Sequence, residues 1–156
     1  MKRILFIILA AMAVVSCESD EICDRKVNTP RLLVRFYDPN QLRSPFSVTN
    51  LTVYAEGNSK ALVTNATTDS LALPLRLTNP TVYVLQKIET GNVTRTATLT
   101  LSYQTHETFV SKACGIKTTY STLTATISPT TSWLKGIRIQ NSTVDNEKRA
   151  HIHLYH

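Results

Sequence analysis

Two histidines near the end of the chain have a spacing that could bind a metal ion. His151 and His153 lie two residues apart in a segment that alternates with apolar residues. On a β-strand, both imidazoles would point to the same outward face. Imidazole is a common zinc ligand, but a zinc site needs three or four ligands. His156 has the opposite parity but could swing round at the terminus, and His106 could come from another strand. The pattern predicts either part of a metal site, as a metal-dependent hydrolase would use, or two exposed polar positions.

The three cysteines offer two further kinds of chemistry. Cys17 follows a small residue, and its thiol is the nucleophile that a lipid-transfer reaction would need. If Cys17 is modified, Cys23 and Cys114 remain as a pair, which in an oxidising compartment predicts a disulfide. Closing a loop of about 90 residues could stabilise the fold by roughly 4–5 kcal/mol in the chain-entropy model. The alternative is a nucleophilic Cys114 with His106 as its base.

The N-terminal residues predict export and cleavage. Lys2 and Arg3 precede an apolar run over residues 4–15 that is too short to span a bilayer, as in a secretory signal peptide. Val14-Val15-Ser16-Cys17 resembles a bacterial lipobox, in which the cysteine becomes an acylated N-terminus. We therefore predict a signal peptide (1–16), a lipidated tether (17–29) and a β-domain (30–156). Several acyl chains give a stable anchor, so the predicted location is the outer membrane. The alternative is an ordinary signal peptide that is cut nearby.

An acidic cluster follows the predicted lipidation site. Glu18, Ser19, Asp20 and Glu21 are consecutive. The cluster resembles the signal that sends lipoproteins of the Bacteroidetes to the cell surface. The alternative is a solvated tether on a protein that faces the periplasm, because acidic and small residues disfavour a packed core.

Charge and composition disfavour several other functions. The net charge is +6, and removing residues 1–16 takes away two cations, which leaves +4. The remaining cations are scattered singly, with no basic stripe between aromatics, so nucleic-acid binding is not predicted. Asp145 and Glu147 flank a turn but lack the further oxygen ligands and the glycine of a calcium loop. The sequence predicts no cofactor and no catalytic residue.

One hydroxyl is a candidate for modification. Asp69-Ser70-Leu71 resembles the short acceptor sequence for O-glycosylation in Bacteroidetes envelope proteins, with Ser70 as the acceptor. The alternative is the ordinary start of a strand. Trp133, Tyr54 and Tyr155 are predicted to be exposed and could form a platform for a sugar, although aromatic side chains more often pack against neighbours.

The elements that must position these residues are β-strands. Leu32, Val34 and Phe36 alternate with polar residues, and the segment 93–103 alternates apolar residues with threonines. No segment has a helical period over three turns, and turn residues recur every 8–12 positions. This pattern predicts an all-β fold, an antiparallel β-sandwich that is Ig-like in general architecture, with about 7–9 short strands. Pro74 predicts an edge strand or a bulge.

Several short motifs together resemble a family of small Bacteroidetes lipoproteins of unknown function. The motifs are Thr29-Pro30-Arg31-Leu32, Phe36-Tyr37-Asp38, Leu73-Pro74-Leu75, Tyr103, Ser111-Lys112-Ala113-Cys114-Gly115 and His151-Ile152-His153-Leu154. The resemblance implies a location and a fold, and it brings no catalytic residues with it.

The sequence therefore favours a lipid-anchored envelope protein that acts by non-catalytic contact. Its expected partners are the membrane, through the lipid, and an envelope protein or a glycan. One alternative is a metal-dependent envelope hydrolase that uses His151 and His153. The other is a purely structural spacer.

Overall fold

The computed structural model describes Cys23 and residues 29–156. The predicted signal peptide, Cys17 and the cluster Glu18–Glu21 lie outside the described residues. Within them the chain forms ten strands and no helix, and so no helix long and apolar enough to cross a membrane. The strands are β1 (Leu32–Asp38), β2 (Gln41–Pro45), β3 (Val48–Ala55), β4 (Ala61–Thr68), β5 (Ser70–Leu73), β6 (Thr81–Glu89), β7 (Val93–Ser111), β8 (Gly115–Ser128), β9 (Gly136–Ile139) and β10 (Ile152–Tyr155).

The strands form two sheets that pack face to face, which confirms the predicted all-β sandwich. In the first, the mixed sheet, the order is β2-β1-β10-β9, and β5 pairs with β1 beside β2. The second, the antiparallel sheet, has the order β4-β3-β6-β7-β8. One pairing departs from the predicted antiparallel arrangement: β1 and β10 run parallel, with Val34 opposite Ile152 and Phe36 opposite Leu154.

Apolar faces of the two sheets enclose a single core. The predicted inward residues of β1, Leu32, Val34 and Phe36, are all buried, as are Leu99 and Leu101 of β7. Alternation puts every second side chain of a strand on the same face, so these patterns identify the core from the sequence. Pro74 lies immediately after β5, which lies at an edge of the mixed sheet next to β1.

Trp133 belongs to this core, and its predicted exposure is wrong. Its side chain is only 7% exposed, and its ring centroid lies 6.3 Å from that of Phe36. The indole Nε1–H donates to the Leu85 carbonyl at 3.4 Å. A buried Trp normally satisfies its N–H in this way. Tyr54 and Tyr155 are half-buried.

Three tyrosines fasten the loop that follows β5 across one end of the sandwich. The hydroxyls of Tyr83, Tyr120 and Tyr103 donate to three consecutive carbonyls, those of Pro74, Leu75 and Arg76. The last two bonds measure 3.1 and 2.8 Å. Burial raises the pKa of Tyr83, so its hydroxyl stays protonated as a donor.

Beyond this loop, β7 and β8 continue as a two-stranded arm, residues 104–119. Strand β6 accompanies β7 only as far as Leu101, whereas β8 pairs with it to Ser111. At about 3.4 Å per residue, the arm is roughly 25 Å long. Its turn is Lys112–Cys114, followed by Gly115 with φ of +72°, which favours glycine. The structure joins Cys114 of this turn to Cys23 in a disulfide, with Cα atoms 5.0 Å apart.

Candidate anion-binding groove

A groove of about 810 Å³ lies on the outer face of the mixed sheet. Outward-pointing residues of β1, β5 and β10 form its floor. One wall is formed by residues 140–141, which follow β9, and by residues 148–150, which come shortly before β10. The lining residues are Leu33, Val34, Arg35, Tyr37, Ser70, Leu71, Ala72, Gln140, Asn141, Lys148, Arg149, Ala150 and His153.

The register of four strands aligns polar side chains in one row across the sheet. Arg35 of β1 lies opposite Ser70 of β5 on one side and His153 of β10 on the other. His153 in turn lies opposite Arg138 of β9. Because adjacent strands are about 4.8 Å apart, the row places the Arg35 guanidinium on one side of the His153 imidazole and the Arg138 guanidinium on the other.

The groove is strongly basic. Arg35, Lys148 and Arg149 line it with exposed side chains, and Arg138 extends the row beside it. Among the described residues that line the groove, none carries a carboxylate. Asp69 lies at the rim, and its Oδ2 is 4.0 Å from Nη2 of Arg35. An exposed pair at this distance is weak, so the charge of Arg35 remains available to a ligand.

His153 is the titratable group at the centre of the row. Its ring centroid lies 4.3 Å from that of Tyr37, and its Nδ1 lies 3.1 Å from Nε2 of Gln140. Burial lowers the pKa of His153, and the positive charges of Arg138 and Arg35 lower it further. A bound anion would oppose the effect of those two charges and favour the protonated imidazole.

His151 is not part of the groove, and its predicted outward orientation is wrong. The residue lies in a bend just before β10 and is 1% exposed. Its Nδ1 accepts the Leu33 N–H at 3.0 Å, and its own N–H donates to the Leu33 carbonyl at 2.8 Å. Burial lowers the pKa of His151, an effect that Asp145 partly opposes. The imidazole is therefore used to join two segments of the fold.

The structure does not bring the predicted metal ligands together. His106 of the arm bonds to Ser121 of β8, with 2.6 Å between Nε2 and Oγ, while His156 stacks on Phe46 with ring centroids 5.0 Å apart. Within Cys23 and residues 29–156, no group of three or more His, Cys, Asp or Glu side chains has a metal-binding arrangement. The thiol of Cys114, the alternative nucleophile, is in the disulfide.

Glu147 has a structural role that sequence reasoning did not identify. Its carboxylate accepts bonds from the Arg31 guanidinium, the shortest of 2.8 Å, and from the Arg31 backbone N–H at 2.9 Å. These bonds lower the pKa of Glu147. They also join the start of the sandwich to the loop that carries Lys148 and Arg149.

Ser70, the candidate glycosylation site, lies at the edge of the groove. Its side chain is exposed, and its hydroxyl donates to Oδ1 of Asp69 at 3.0 Å. The groove itself was missed because its residues come from segments more than 100 positions apart. The local signals were the outward parity of Arg35 in β1 and of His153 in the last strand.

The fold and the groove define a β-sandwich with a basic groove on the outer face of its mixed sheet. The chain belongs to a family of unknown function, DUF6452, whose sequence model matches residues 50–156. The matched region contains the groove residues of β5, β10 and the loop before β10, whereas β1 precedes it. Neither the curated proteins nor the solved structures contain a match to this chain.

Proposed function

We propose that this protein is a lipid-anchored module of the bacterial cell envelope that binds an acidic glycan in the basic groove. The cluster of cationic side chains in and beside the groove, Arg35, Arg138, Lys148 and Arg149, carries the proposal. Binding is non-catalytic, in keeping with the sequence-based expectation. The resemblance to Bacteroidetes lipoproteins and the lipobox at Cys17 support an outer-membrane location.

The chemistry of the groove suits a sugar that bears a carboxylate, phosphate or sulfate. Arg35 and Arg149 can bind such groups with two parallel hydrogen bonds, and Lys148 adds a point charge. Gln140 and Asn141 offer amide donors and acceptors to sugar hydroxyls. The volume falls in the range that holds small-molecule ligands, about 300–1,000 Å³.

Binding to immobilised glycans tests the proposal. We expect the purified chain to bind acidic oligosaccharides and not their neutral counterparts, with affinity that falls as salt is raised. Sugars with a carboxylate, a phosphate or a sulfate are compared to identify the anionic group. Equal binding to acidic and neutral sugars, or none to either, would reject the groove as an acidic-glycan site.

A matched pair of variants separates the groove from net charge. Arg35→Gln with Arg149→Gln removes two cations from the groove and should reduce the affinity at least tenfold. The control, Lys60→Gln with Arg95→Gln, removes two exposed cations from the antiparallel sheet and its loops. Similar losses in both double variants would mean that binding depends on general charge alone.

The location needs a separate experiment. A tagged chain is expressed beside a variant in which Glu18, Asp20 and Glu21 are neutralised, and intact cells are treated with protease. Cleavage of the wild type with protection of the variant would support surface exposure. Protection of both would place the protein on the periplasmic side and contradict the export signal.

A further inference from the structure

The end of the arm carries apolar side chains that nothing in the described chain covers. Phe109, Val110 and Ile116 are 66%, 39% and 60% exposed. Phe109 lies directly opposite Ile116 across the two strands, so the side chains of Phe109 and Ile116 share a face of the arm. Lys112 is exposed in the turn between them. The arm therefore ends in an apolar tip, residues 109–116, with a cation at its apex.

The disulfide places this tip close to the proposed anchor. Cys114 lies in the turn and is bonded to Cys23, which is six residues after Cys17 in the sequence. Six residues can extend at most about 20 Å. Whatever their conformation, acyl chains on Cys17 would hold the tip within that distance of the bilayer.

We propose that the arm tip inserts into the membrane interface, with the disulfide holding it there. This inference rests on the lipid anchor of the proposed function. Phe109 and Ile116 would enter the boundary between headgroups and acyl chains, where aromatic and aliphatic side chains are favoured. Lys112 would meet the phosphates of anionic lipids, which attract basic residues near such a surface.

A bilayer suits the tip better than a protein does. The exposed apolar patch is made by three side chains at the end of a narrow two-stranded arm, far smaller than a stable protein interface of about 800 Å² per partner. A membrane contact of this size is weak alone. The anchor keeps the tip at a high effective concentration beside the bilayer, which raises the fraction of time that the tip is inserted.

Fluorescence quenching by brominated lipids tests the insertion. Phe109→Trp supplies the reporter, since Trp133 is buried and gives a constant background. The control reporter is Leu62→Trp, at an exposed apolar position on β4. In phosphatidylglycerol–phosphatidylethanolamine vesicles, the mature lipidated chain should show at least twofold stronger quenching for Phe109→Trp than for Leu62→Trp. Equal quenching would overturn the proposal.

A second preparation distinguishes failure of the tip from failure of the anchor. Here Cys17→Ser removes the lipidation site, and an N-terminal histidine tag binds the chain to vesicles that contain a nickel-chelating lipid. If mass spectrometry finds no acylation of the native protein, the anchor is refuted, and the tagged chain still reports whether the tip inserts. If acylation is found but neither preparation shows quenching of Phe109→Trp, the tip proposal is refuted alone.

Discussion

The groove and the arm tip are both exposed, but the sandwich supports them in opposite ways. The floor of the groove lies on β1, which has β2 and β5 on one side and β10 on the other, so Arg35 and His153 are held by strands in fixed register. The arm is a two-stranded extension whose turn is joined to Cys23 by the disulfide. Single hydrogen bonds from Thr105 to the Leu77 carbonyl and from Lys117 to the Asp145 carbonyl, each 3.3 Å long, also join it to the sandwich. A floor of paired strands suits a ligand that needs polar side chains in fixed positions, whereas the tip of a two-stranded extension suits a contact without fixed geometry.

Two substitutions in one strand test this contrast most strongly. Leu99 and Phe109 both belong to β7, but Leu99 is fully buried in the sandwich and Phe109 is exposed in the arm. We expect Leu99→Ala to lower the free energy of unfolding by about 2–5 kcal/mol through lost burial and a cavity. Phe109→Ala should change it by no more than about 0.5 kcal/mol. Comparable losses in denaturant unfolding would show that the tip is packed.

Removing the disulfide should have the next largest effect. Replacing Cys23 and Cys114 together by serine frees a loop with a sequence separation of 91 residues. We expect a loss of about 2–4 kcal/mol, mainly because the unfolded chain gains freedom. Glycan binding in the groove, measured under conditions where the protein is folded, should be unchanged. A change there would mean that the arm and the groove are coupled.

The buried imidazole next to the groove predicts a pH dependence. Burial holds the pKa of folded His151 below its ordinary value of 6.5. As the pH falls, the unfolded chain therefore binds the proton before the folded chain does. The contribution of neutral His151 to the free energy of unfolding is fully present above about pH 6.5 and decreases as the pH drops below that value. Unfolding between pH 7.5 and 5 should show a smaller loss for His151→Gln than for the wild type. His153 and His156, whose pKa values are also lowered, account for the remaining slope.

The smallest effect is expected where the groove loop joins the start of the sandwich. Arg31 and Glu147 are partly exposed, so Glu147→Gln should cost no more than about 1 kcal/mol. The pKa of Glu147 is lowered, so its contribution is present above about pH 4.5 and is lost at lower pH. A double-mutant cycle with Arg31→Gln measures the pair. A coupling energy near zero would mean that the loop is positioned by other contacts.

The sequence predicts the parts of this fold that depend on alternation. The apolar faces of β1 and of the sandwich part of β7 are regular, and their burial follows directly. Beyond Tyr103 the alternation stops, so the extension of β7 into the arm could not be predicted, because its pairing with β8 depends on backbone hydrogen bonds. The exposed strand β2 was missed for the same reason.

The groove and His151 fall outside what alternation can predict. The groove requires the parallel pairing of β1 with β10, and no local pattern indicates which distant strands become neighbours. The prediction for His151 was wrong because it placed this residue on the same strand as His153. The strand begins at Ile152, and the bend before it turns the imidazole toward Leu33.

The parallel pair of β1 and β10 also constrains when the sandwich can form. One long side of β1 finds its partner in residues 152–155, so the mixed sheet cannot close until those residues have been synthesised. A fragment that ends before residue 152 would present that side of β1 as an unpaired edge, the kind of surface on which strands from other chains add. The mixed sheet thus forms from strands that are distant in sequence, and chains that end before β10 are expected to aggregate rather than to fold.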